Sequence, residues 1–113
     1  MHKERLQQLI LKMLNEHQSI KSVTATGPDF TNVEEYYFTF PDDKYLWSLT
    51  KSSDGEIHIF FYPNKSERSI FLRFGPADID SFYRDRLKQL FETVRGKLYG
   101  FDGVLSDILD EEL

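Results

Sequence analysis

An α+β fold is what this 113-residue chain predicts, and three features carry the prediction. Apolar residues recur every three to four positions near the start, every two positions between Ser19 and Phe74, and every three to four again after Asp78. The breaks between the period-two runs are short and hold the Gly, Pro, Asn and Asp that hairpin turns require. No repeat, low-complexity tract or linker divides the chain, so residues 1–113 read as a single α+β domain, long enough for a core without metal or disulfide staples.

The first element is a helix, because Leu6, Leu9, Ile10, Met13, Leu14 and His17 fall on one stripe. Strands follow at "SIKSVTAT", which is weak, and at "VEEYYFTF", "KYLWSLT", "EIHIFFY" and "RSIFLRF", which are rich in β-branched and aromatic residues. Turns at "TGPDFTN", "PDD", "SSDG" and "PNKSE" join them into a five-stranded antiparallel meander sheet. "FGPAD" ends the last strand and Asp78 reads as an N-cap. Ile79, Phe82, Tyr83, Leu87, Leu90, Phe91, Val94 and Leu98 then trace a long C-terminal amphipathic helix. Gly96, Gly100 and Gly103 loosen its end, and "DGVLSDILDEEL" predicts a short terminal helix, packed from Val104 to Leu109 and frayed from Asp110 onward.

Successive side chains of a strand point to opposite faces. The richer faces are Tyr36, Phe38, Phe40; Tyr45, Trp47, Leu49; Ile57, Ile59, Phe61; and Ile70, Leu72, Phe74, which are the expected core. The other face carries Tyr37, Leu46, His58, Phe60, Tyr62 and Phe71, interrupted by Glu35, Thr39, Ser48, Thr50, Glu56, Ser69 and Arg73. It is too apolar for a solvent face and too polar for a plain core. Three covers suit it: the second helix, with the first helix on the opposite side; a twin subunit; or a ligand or protein partner, since contact surfaces combine aromatics with scattered polar groups.

Composition narrows the classes. The net charge is −5, and the five acidic residues from Gly100 onward, unaccompanied by Lys or Arg, account for all of it. The remaining body is formally neutral and has no broad basic footprint, so nucleic acid is not an expected partner. No stretch approaches the roughly 20 apolar residues of a membrane span, and the N-terminus lacks the apolar run of a signal peptide. Together with the absence of cysteine this points to a cytoplasmic protein.

Candidate chemistry is sparse. Among the three histidines, His2 is terminal and His17 ends the first helical stripe, while His58 stands two residues from Glu56 on one strand. Glu-x-His can orient an imidazole or share a metal, but a metal needs a third ligand, for which Glu35 is the nearest candidate. "DID" at Asp78–Asp80 suits a helix start, and "PDDK" suits a turn. No phosphate loop, nucleophile elbow or zinc-protease motif is present. The expectation is therefore a non-enzymatic domain with no catalytic residue, cofactor or metal. It would be an inhibitor, adaptor or immunity-type protein binding a protein partner, or itself as a homodimer, through Tyr37, Leu46, His58, Phe60, Tyr62 and Phe71. The alternatives are a small-molecule binding domain with that face as its pocket floor, and thirdly an enzyme using Glu56 and His58.

Overall fold

The computed structural model describes residues 2–25 and 34–110, so the expected turn at 26–32 and the end of the chain after Asp110 lie outside the described residues. The expected architecture is present: helix α1 (Lys3–Asn15), strands β1 (Lys21–Ala25), β2 (Glu34–Thr39), β3 (Leu46–Lys51), β4 (Ile57–Tyr62) and β5 (Leu72–Phe74), then helices α2 (Ser81–Leu98) and α3 (Phe101–Asp110). The five strands form one sheet in chain order, every neighbouring pair antiparallel. At the weakest strand, β1, the register slips between Lys21 and Thr24, where Ser22 takes a left-handed φ of 54°. The extra residue of such a bulge needs a local backbone change of this kind.

Both helices lie on the same side of the sheet. Leu6, Ile10 and Met13 of α1 and Leu87, Leu90, Phe91 and Val94 of α2 form one buried cluster with Tyr36, Phe38, Phe40, Leu49, Ile57 and Ile59. This differs from the expectation of one helix per face, and the reason is chemical. The covered face is the more uniformly apolar one, so placing both helices there removes the larger apolar area from water, while on the other face the buried Thr39 and Ser48 hydroxyls are hydrogen-bonded within the sheet. The two helices are joined at their starts, where the Asp80 amide donates to Gln7 Oε1 at 2.9 Å and Lys3 Nζ lies 2.6 Å from the Asp80 carboxylate. Gln7 is buried, and this bond satisfies its carbonyl. At the far end of α2, Arg95 approaches Glu34, whose carboxylate accepts a 2.8 Å bond from the buried Tyr36 hydroxyl. Desolvation by burial, reinforced by Glu34, raises the Tyr36 phenol above its ordinary range.

Other expectations are corrected in detail. The run "RSIFLRF" pairs only over Leu72–Phe74, because residues 63–71 form a longer loop closed by two turns, Glu67 amide to Asn64 carbonyl and Ile70 amide to Glu67 carbonyl. Ile70 and Leu72 are consequently exposed, as is Tyr45 before β3, and they leave the core list. Trp47, Phe61 and Phe74 are half-buried at the same end of the sheet, and Trp47 Nε1 donates to the Phe40 carbonyl at 3.0 Å. Asp78 caps no long helix: it lies in a 3-10 turn, Pro76–Asp78, and accepts the Gly75 amide at 2.8 Å, while Asp80 occupies the N-cap position of α2. Helix α3 forms, but Val104, Leu105, Ile108 and Leu109 are exposed rather than packed. His17 is exposed in a turn after α1.

Candidate functional site

The second face of the sheet is built by strand register. Tyr37 stands opposite Ser48, and Ser48 opposite Phe60; Thr39, Leu46 and Tyr62 form a parallel row, and Glu35, Thr50 and His58 another. The three rows bring Tyr37, Leu46, His58, Phe60 and Tyr62 onto one surface, as alternation requires. Phe71 joins them from the loop: its ring centroid is 5.2 Å from that of Phe60 and 6.2 Å from that of Tyr62. Tyr37 lies 5.6 Å from Tyr62, and Phe60 is nearly parallel to Tyr62. Such offset and tilted pairs each contribute roughly 0.5–1.5 kcal/mol beyond burial.

The six predicted residues do not play equal parts. Leu46 and Tyr62 are buried and floor the surface, Tyr37, His58 and Phe60 are half-buried, and Phe71 is exposed. Beneath the rings runs a polar chain. Ser48, fully buried, donates to Glu35 Oε2 at 3.2 Å, and its oxygen is 2.8 Å from the Tyr62 hydroxyl. An ionised carboxylate only accepts, which sets the order of protons: Tyr62 donates to Ser48 and Ser48 to Glu35. Desolvation by burial raises the Tyr62 phenol above its usual range. Among the described residues no buried side-chain N or O atom lacks a partner. The floor is thus satisfied and rigid, which holds the rings above it in place.

Arg68, absent from the expected contact residues, completes the surface. Its guanidinium carbon lies 4.0 Å from the centroid of Tyr37, a cation–π stack within the 6 Å that defines one. The signal available in the sequence was a cation at the head of the run "RSIFLRF", but only the fold of the 63–71 loop brings it over a ring 31 positions away.

His58 is held by steric fit. Its ring lies against Gly75, the neighbour across the β4–β5 edge, so closely that a Cβ at Gly75 would stand 2.5 Å from Cδ2 and 2.6 Å from Nε2. Glu56 sits just before β4 and lines a different hollow, of about 210 Å³, with Asp54, Arg84 and Lys88. Glu35, the third candidate ligand, shares the His58 row but has Thr50 between them. Among the described residues no three His, Asp or Glu side chains gather as a metal site. No described helix is long and apolar enough to cross a membrane. Comparison of the chain with models of protein families, with curated proteins and with solved structures gives no match.

Proposed function

We propose that the chain is a small, non-catalytic cytosolic protein-interaction domain, of inhibitor, adaptor or immunity type, that binds another protein through the second face of its sheet. The observation that supports this reading is the placement of both helices on one side, which leaves Tyr37, Phe60 and Phe71, with Arg68 stacked at their edge, without a helical cover. Aromatic and Arg side chains dominate the energetics of protein contacts, because they present large area at low conformational-entropy cost. The Glu35–Ser48–Tyr62 chain beneath supplies pre-organisation, so little ordering is required when a partner docks. Leu46 and Tyr62 serve as the floor, and the contact residues are Tyr37, His58, Phe60 and Phe71.

The test is affinity capture from the native source with the wild-type chain and with Phe60→Ser and Phe71→Ser, followed by identification of retained protein. A partner held by wild type and lost by both variants, with the variants folded by circular dichroism, supports the reading. Retention of the same partner by both variants refutes it.

A further inference from the structure

The helix side of the sheet is not fully roofed. Where the start of α1 passes β3, β4 and β5, the side chains of Leu9, Trp47, Phe61, Leu72 and Phe74 border an apolar groove of about 220 Å³. The charged or titratable residues lining it are His2 and Arg5, and no carboxylate joins them. Leu72 is 54% exposed at its lip.

The same chain carries a surface of complementary character. Helix α3 exposes Val104, Leu105, Ile108 and Leu109 along one stripe, with Ile108 57% and Leu109 65% exposed. Every charged residue from Gly100 onward is acidic. An apolar stripe with acidic companions matches an apolar groove with the Arg5 guanidinium at its rim.

The groove cannot be filled by the helix of its own chain. It lies at the start of α1, which is pinned to the start of α2 by the Lys3–Asp80 ion pair and the Gln7–Asp80 bond. Helix α3 departs from the other end of α2, 18 residues later, a distance of about 27 Å at 1.5 Å per residue. Doubling back along α2, the ten residues of α3 would span about 15 Å and stop well short of the groove.

We propose that α3 of one copy docks in this groove of a second copy, and reciprocally, giving a two-fold symmetric dimer that sets the acidic charge of α3 near Arg5. Two-fold symmetry makes the contact twice, which brings a short helix toward the area a stable interface requires. The contact lies on the helix side of the sheet and is independent of the partner-binding reading of the second face.

Sedimentation of the full chain over a concentration series tests it. Wild type should dimerise reversibly. Ile108→Asp and Leu72→Asp, both at exposed positions, should each keep the wild-type melting temperature when dilute and each be monomeric. Mixed in equal amounts they should recover a weaker dimer, since one intact arm then meets one intact groove. Arg5→Glu should weaken the dimer severalfold and remove most of its salt dependence. The chain has no cysteine, so a Leu109→Cys chain mixed with a Leu72→Cys chain should form a disulfide-linked heterodimer in preference to either homodimer. Wild type that stays monomeric at millimolar concentration overturns the proposal. So does a dimer that survives Leu72→Asp, which would mean that α3 pairs with α3, or one that dissociates on Phe60→Ser, which would place the interface on the second face.

Discussion

Replacing Gly75 with alanine probes the second face of the sheet from a single atom. Gly75 has an ordinary extended backbone, φ −131° and ψ −171°, so alanine meets no conformational penalty there. In an open position of this kind Gly→Ala stabilises by about 0.4–1 kcal/mol, through the lower entropy of the unfolded chain. Here the new Cβ would stand 2.5 Å from His58 Cδ2, about 1 Å inside the usual carbon–carbon contact. The imidazole would have to leave its place on β4, where it lies between Gly75 on one side and Thr50 on the other. Overpacking of this kind destabilises by about 1–3 kcal/mol. In a domain of this size that lowers Tm by roughly 4–15 °C. The sign of the effect is therefore diagnostic of the ring's position. Urea unfolding followed by Trp47 fluorescence and circular dichroism should show Gly75→Ala less stable than wild type. His58→Ala should lose about 1 kcal/mol by itself. The double variant should be more stable than the sum of the two predicts, by about 1–3 kcal/mol, because the clash is gone. Strict additivity, or stabilisation by Gly75→Ala alone, would show that His58 does not lie across Gly75.

The two faces should respond differently to truncation. Phe38→Ala, at a fully buried position between the sheet and both helices, should cost about 3–5 kcal/mol, whereas Phe60→Ser should cost about 1 kcal/mol, and equal losses in chemical denaturation would contradict the one-sided core. Raising the pH should destabilise the domain above about 10, because the Tyr36 and Tyr62 phenols hold their protons in the folded state after the unfolded chain has released them; the stability they confer is complete below that pH and is lost as pH climbs toward their raised folded values. A pH series of urea midpoints checks this, and the double variant Tyr36→Phe, Tyr62→Phe should flatten the alkaline limb. Deleting residues 106–113 should leave Tm of the dilute monomer nearly unchanged, since Ser106, Asp107, Ile108 and Leu109 are exposed; a fall of several degrees by calorimetry would mean that they pack on the body.

The order and pairing of the elements were legible because periodicity reports local geometry. The apolar stripe of α1 and the alternation in "YYFTF", "LWSLT" and "IHIFFY" translate directly into the helix, the strands and their two faces. The partition of residues between faces also came through, since register can shift only by moving every side chain at once. What periodicity does not carry is tertiary choice. Nothing in the stripe of α2 says which face it will cover; both faces carry aromatics, and α2 joins α1 on the more uniformly apolar one. "RSIFLRF" alternates as well as the true strands do, yet Phe71 leaves the ladder to cover Phe60, and Ile70 is exposed as a result. Arg68 on Tyr37 and His58 against Gly75 depend on a loop path and on a missing Cβ, neither of which has a pattern in the chain. The amphipathic pattern of α3 predicts a buried stripe, but amphipathicity does not name the molecule that buries it.

The most direct test of the central claim, that the uncovered aromatic face is the working surface, is a binding isotherm between the purified chain and the protein it retains from its native source. Wild type should bind it. Phe60→Ser, Phe71→Ser and Arg68→Ala should each weaken binding by about tenfold or more, the roughly 1.4 kcal/mol or greater loss expected at the centre of an interface. Exposed substitutions on the helix side, such as Phe82→Ser, should leave it unchanged. Affinity that is insensitive to all three face variants, or that falls with Phe82→Ser instead, would contradict the account.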